Sequence, residues 1–136
     1  MVKDDWSDLR SVFSDMAQEE TKRVKQAVVN TFAEQITTPV DDGGLTPVDT
    51  GNWLANNIAT ESRPTRATND DLDPDGFDTL SGISYVAYNS KPYNQVIIQN
   101  NSDYNDEVEY SGWQKTPAYR PYRTAFEILK GKLEDI

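Results

Sequence analysis

The chain has 136 residues, a formal net charge of −10 at pH 7, and neither cysteine nor histidine. That length makes one domain with a modest core; the missing thiols exclude disulfides and thiolate metal sites, and the missing imidazoles exclude a Ser-His-Asp triad and the commonest general base. No apolar run approaches the ~18 residues of a membrane span, and Met1-Val2-Lys3-Asp4-Asp5-Trp6 carries acids where a signal peptide is basic, so a soluble protein made in a cytoplasm is expected.

Charge is spread unevenly. Residues 1–37 hold seven acids and five bases, 38–111 hold thirteen acids and three bases, and 112–136 hold three acids and five bases. An acidic body argues against wrapping DNA, because affinity for DNA comes from neutralising phosphates with Lys and Arg. It is compatible with a wall that DNA slides past, where like charge prevents sticking. For most of these residues plain solubility is the simpler role.

The first predicted element is a long helix over about residues 5–37. Leu9, Phe13, Met16, Ala17, Val24, Ala27, Val28, Phe32 and Ile36 recur at steps of three and four, and no Gly or Pro interrupts the run before Pro39. At ~1.5 Å per residue it spans ~45–50 Å, more than a domain of this size can cover by itself. A neighbouring subunit would use the surplus.

Residues 38–47 read as a loop, and residues 49–60 as a short helix ending before Pro64. Pro47 suits the approach to a helix, Asp49 or Thr50 can cap it, and Trp53, Leu54 and Ile58 fall on one stripe. Residues 62–82 read as an acidic loop. Within it, Asp71, Asp73 and Asp75 with Gly76 have the spacing that begins an EF-hand loop, and calcium takes six to eight such oxygens. The twelfth position is Gly82 instead of a bidentate Glu, and no amphipathic helix flanks the segment. A solvated acidic loop is the competing reading.

Residues 81–100 read as two strands. Ile83, Tyr85 and Ala87 alternate with Ser84, Val86 and Tyr88, Asn89-Ser90-Lys91-Pro92 makes a turn, and Val96-Ile97-Ile98 sits in the second run. Ser102 or Asp103 then caps a short helix with Tyr104 and Val108 on one face, closed by Gly112 at a left-handed position. The last segment, Tyr122 to Asp135, is amphipathic through Tyr122, Phe126, Leu129 and Leu133. The expected fold is therefore α+β over residues 1–136: a long N-terminal helix, a short second helix, a small antiparallel β-sheet and a C-terminal amphipathic helix.

Three stretches resemble, in order, one phage family: the head-to-tail neck and tail-completion proteins, including the lambda-type minor tail protein Z class. The first is Leu45-Thr46-Pro47-Val48-Asp49-Thr50-Gly51-Asn52-Trp53-Leu54. The second runs from Asn100 or Asn101 through Tyr104 to Glu109, Tyr110 and Gly112, with Ser111 inserted between tyrosine and glycine. The third is Trp113-Gln114-Lys115-Thr116-Pro117-Ala118-Tyr119-Arg120-Pro121 before the last helix.

The resemblance implies a virion structural protein, found in host cytoplasm during assembly and then in the neck or tail. It implies no enzyme activity and no cofactor. It further implies a homo-oligomer, a six-fold ring between head connector and tail tube or a tail terminator, with DNA passing through unbound. Trp53, Trp113, Tyr110 and Tyr119 are candidate interface anchors, with core packing the competing role. The basic residues Arg120, Arg123, Lys130 and Lys132 would meet an acidic neighbour or simply face solvent. Two alternatives come from other classes: a calcium-dependent module on Asp71, Asp73 and Asp75, and a carboxylate enzyme with two of Asp71, Asp73, Asp75, Glu107 and Glu109 as acid and base.

Overall fold

The computed structural model describes residues 5–48, 50–112 and 118–134. Helix α1 covers Asp5–Thr37, as its unbroken apolar spacing requires. Only its second half is used by the core. Val29, Ala33 and Ile36 are buried at steps of four and three, whereas every residue from 7 to 20 is exposed. The helix ends where Thr37 Oγ1 and Thr38 Oγ1 donate back to the carbonyls of Ala33 and Glu34. Such back-bonding is common near helix ends. Pro39 then opens a closed loop around a 3₁₀ turn at Val40–Asp42, pinned by Val40 N–H donating to the Thr46 carbonyl at 2.9 Å.

Helix α2 is a single turn, Asn52–Ala55, and strand β1 follows at once over Asn57–Glu61. The sequence favours a helix across 49–60, and the structure corrects this. Asn56 and Asn57 turn their amides onto the carbonyls of Asn52 and Leu54. Side chains that serve the backbone in this way end helices. The β-branched Ile58 and Thr60 then pair in a strand.

Helix α3, Phe77–Asn89, replaces the expected strand at 81–89. The alternation of Ile83, Tyr85 and Ala87 misleads. The operative spacing is helical, with Thr79, Ile83 and Ala87 buried and Leu80 packed beside them, while Tyr85 and Tyr88 are exposed. Asn89 to Pro92 is consequently a helix-to-strand connection, not a hairpin turn. Lys25 from α1 holds it by donating to the carbonyls of Lys91, Pro92 and Asn94.

Strand β2, Val96–Asn100, falls where expected and pairs antiparallel with β1, Asn57 facing Asn100 and Glu61 facing Val96. A π-helical turn, Glu107–Ser111, follows. Helix α4, Pro121–Glu134, begins with Pro121, whose missing N–H costs nothing in a first turn. The core lies between α1, α3, α4 and the two-stranded sheet, around Ile36, Ile83, Ala87 and Ala125. The fold is thus α+β, with the expected terminal helices. Among the described residues no helix is long and apolar enough to cross a membrane.

Candidate functional site

The distant motif segments meet in space. Pro47, Thr50, Gly51, Trp53, Tyr104 and Val108 line one cleft of about 380 Å³. Gly51 explains its own residue type. Its φ of 87° lies in the left-handed region, and a Cβ there would come within 2.7 Å of the Asp73 backbone nitrogen. Only glycine fits both conditions. Its carbonyl accepts from Asp73 N–H at 3.1 Å, which ties the motif loop to the acidic segment.

Trp53 is 2 % exposed, so its indole belongs to the core and not to a surface anchor. Its Nε1–H donates to Asn105 Oδ1 at 3.0 Å. Its ring meets Tyr122 edge-on at 6.3 Å between centroids, and Tyr122 meets Phe32 the same way at 5.5 Å. The three rings couple the motif loop, α4 and α1 by the edge-to-face geometry that aromatic quadrupoles favour.

Sequence reasoning missed the amide network around these rings. Asn57 Oδ1 accepts from Tyr122 Oη at 2.7 Å and from Asn100 Nδ2 at 3.1 Å, and Asn100 Nδ2 also donates to the Trp53 carbonyl. Asn52 donates to the carbonyls of Asn69 and Asp71, and Asn56 and Asn69 exchange backbone and side-chain bonds. Burial raises the Tyr122 phenol far above its ordinary range, helped by the charge on Glu109. The phenol therefore remains a donor throughout the physiological range. The signal in the chain was the doublets Asn56-Asn57 and Asn100-Asn101, polar pairs at strand ends that can satisfy one another when buried.

Glu109 is buried, and its carboxylate accepts from Tyr122 N–H at 3.1 Å and Arg123 N–H at 2.9 Å. A carboxylate on the first free N–H groups of α4 complements the helix dipole. Arg120 N–H donates to the Val108 carbonyl at 3.0 Å, with Arg120 at φ 54°. The Glu-Tyr-Ser-Gly segment and the Arg-Pro step are thus one device that seats α4. Gly112 departs from expectation. Its φ is positive at 67°, but ψ of −165° is not the left-handed helical value. The π-helical turn accounts for this, with Gly112 N–H reaching five residues back to Glu107.

Other predicted residues scatter. Val48 is half-buried, Tyr110 and Tyr119 are exposed, and Asp49 and Trp113 lie outside the described residues. Asp71, Asp73 and Asp75 do not converge. Asp73 turns inward, where its Oδ2 accepts from Thr79 N–H at 2.7 Å and Thr79 Oγ1 at 2.6 Å. Asp75 accepts from Phe77 N–H, and Asp71 faces solvent. Burial alone would raise the Asp73 pKa, but the hydrogen bonds from Thr79, from Asp75 and from the Asp78 backbone together outweigh it and hold the carboxyl below its ordinary range. Such a group holds α3 and is poorly suited to donate a proton near neutrality. Among the described residues, no group of three or more acidic side chains is placed to hold a metal ion.

These features define an α+β domain whose motif loop, strands and α4 are joined by buried and half-buried amides, with the first half of α1 exposed. No protein-family model, curated protein or solved structure matches the chain.

Proposed function

We propose that the chain is a structural protein of the phage virion, forming a ring in the head-to-tail neck or at the head-proximal end of the tail. It joins the connector to the tail tube and lets DNA pass without specific binding. The reading treats it as a non-enzyme without cofactor.

The observation that carries it is the projecting half of α1. Residues 7–20 are all exposed, about 20 Å of helix at 1.5 Å per residue, its first two turns projecting and its last running beside Pro92. Leu9, Val12, Phe13 and Met16 are each more than 40 % exposed along it. A monomer gains nothing from leaving such a stripe in water. A closed ring needs two different faces on each subunit, and a projecting helix is one way to reach a neighbour. Two further features support the reading. The described parts of the resembling segments lie against one another, as the seat of α4 and the wall of one cleft. The net charge of −10 suits a channel that repels DNA.

The test is joining. Purified protein incubated with DNA-filled, tail-less phage heads should bind at the portal vertex and make them competent for tail attachment. No binding to heads or to tails would remove the reading.

A further inference from the structure

We propose that the overhang of α1 docks on the outer edge of α4 in the next copy of this chain. The proposal rests on the ring reading above and names the contact that closes the ring.

Two apolar stripes in the molecule are unfinished. The first is Leu9, Val12, Phe13 and Met16 on α1. The second runs along α4. Tyr122 is half-buried and Leu129 partly covered, but Phe126 is 57 % exposed and Leu133 48 % exposed. On an ideal helix, Tyr122, Phe126, Leu129 and Leu133 share one side, so α4 spends part of its stripe on its own core and leaves the rest open.

Each stripe is edged by a pair of like charges at equal spacing, acids on α1 and bases on α4, although Glu127 stands between the two bases and Glu134 one turn beyond them. Asp8 and Asp15 stand seven residues apart along one edge of the α1 stripe, with Glu19 continuing the line. Arg123 and Lys130 stand seven residues apart along the edge of the α4 stripe. All five are exposed. Seven residues make two helical turns, ~10 Å, so two acid–base pairs form together when the stripes pack lengthwise. The apolar side chains supply the affinity. The surface ion pairs set partner and register, because each is worth only ~0.2–1 kcal/mol. The contact is heterologous, since α1 of one copy meets α4 of another, and this is the type that generates rings. An α1-to-α1 contact would put the acidic edges in reach of each other.

Two variants and their mixture test it. Variant A carries Asp8→Lys and Asp15→Lys, and variant B carries Arg123→Glu and Lys130→Glu. Self-association is read by sedimentation up to about 1 mM, the weak end of specific association. A and B alone should each associate about tenfold more weakly than the unaltered chain, as two reversed surface pairs imply. An equimolar mixture should recover, because A's overhang then suits B's α4 and B's overhang suits A's α4. If B melts well below the unaltered chain, Lys130→Glu alone replaces it.

Association of A or B equal to the unaltered chain, or a mixture that does not recover, overturns the contact. An unaltered chain that stays monomeric throughout overturns it as well. Micrographs of phage heads incubated with the unaltered chain or with A separate this failure from the larger one. Rings on heads with both proteins leave the neck reading standing without this contact. No ring with the unaltered chain on heads, and none on tails treated the same way, removes the neck reading too.

Discussion

Asp73 gives the sharpest test of how the motif loop and α3 are held together. Its Oδ2 takes two short hydrogen bonds from Thr79, at 2.7 and 2.6 Å, in a site 6 % exposed. Bonds to a charged acceptor contribute ~1.5–3 kcal/mol each and neutral ones ~0.5–1.5 kcal/mol, so Asp73→Asn should cost ~2–3 kcal/mol at pH 7. For a domain of this size that corresponds to a fall in Tm of roughly 6–15 °C.

The pH dependence has a definite sign. The folded-state pKa of Asp73 lies below its ordinary value of 3.8. Its contribution is therefore present above the unfolded value and lost as pH falls through the folded one. The variant cannot titrate at this position, so the part of the difference that Asp73 supplies disappears as Asp73 protonates. The difference in Tm should be constant from about pH 7 to 5 and shrink below about pH 4. Circular dichroism melts across that range measure it. A gap that stays constant into the acid range, or widens there, refutes the reasoning.

Three further outcomes follow from the geometry. Gly51→Ala should lower stability in urea by more than ~2 kcal/mol, because it combines a left-handed φ with a Cβ driven into the Asp73 backbone. Glu109→Ala should leave two N–H groups of α4 without their acceptor, at a cost of ~1–3 kcal/mol, and hydrogen exchange should show α4 amides opening faster than those of α3. Phe13→Ser, by contrast, should change the stability of the monomer by less than ~0.5 kcal/mol in urea, since the ring is 58 % exposed.

How far the chain could be read in advance depended on where local pattern and tertiary packing agreed. Helix α1, β2 and α4 were legible because each carries one strong period with clear punctuation, such as Pro39 after α1 and Pro121 at the start of α4. The segment 77–89 was misread because Ile83, Tyr85 and Ala87 satisfy both a period of two and, with Leu80, a helical spacing. Only packing against α1 and β1 decides between them. Residues 57–61 were misread as helix because strand pairing with β2 is not visible locally. At the candidate site, the glycine and proline positions were legible as backbone constraints. The buried role of Glu109 was not, because a capping carboxylate twelve residues before its helix leaves no local trace. Asp73 was singled out for its spacing, yet its fold role comes from Thr79, six residues on.

The most direct test of the central claim is the mass of the purified chain by light scattering across concentrations, with electron micrographs of the same samples. The account predicts six-fold rings, or a shift toward them as concentration rises or neck partners are added. A strict monomer at every concentration that also binds neither phage heads nor tails would contradict it.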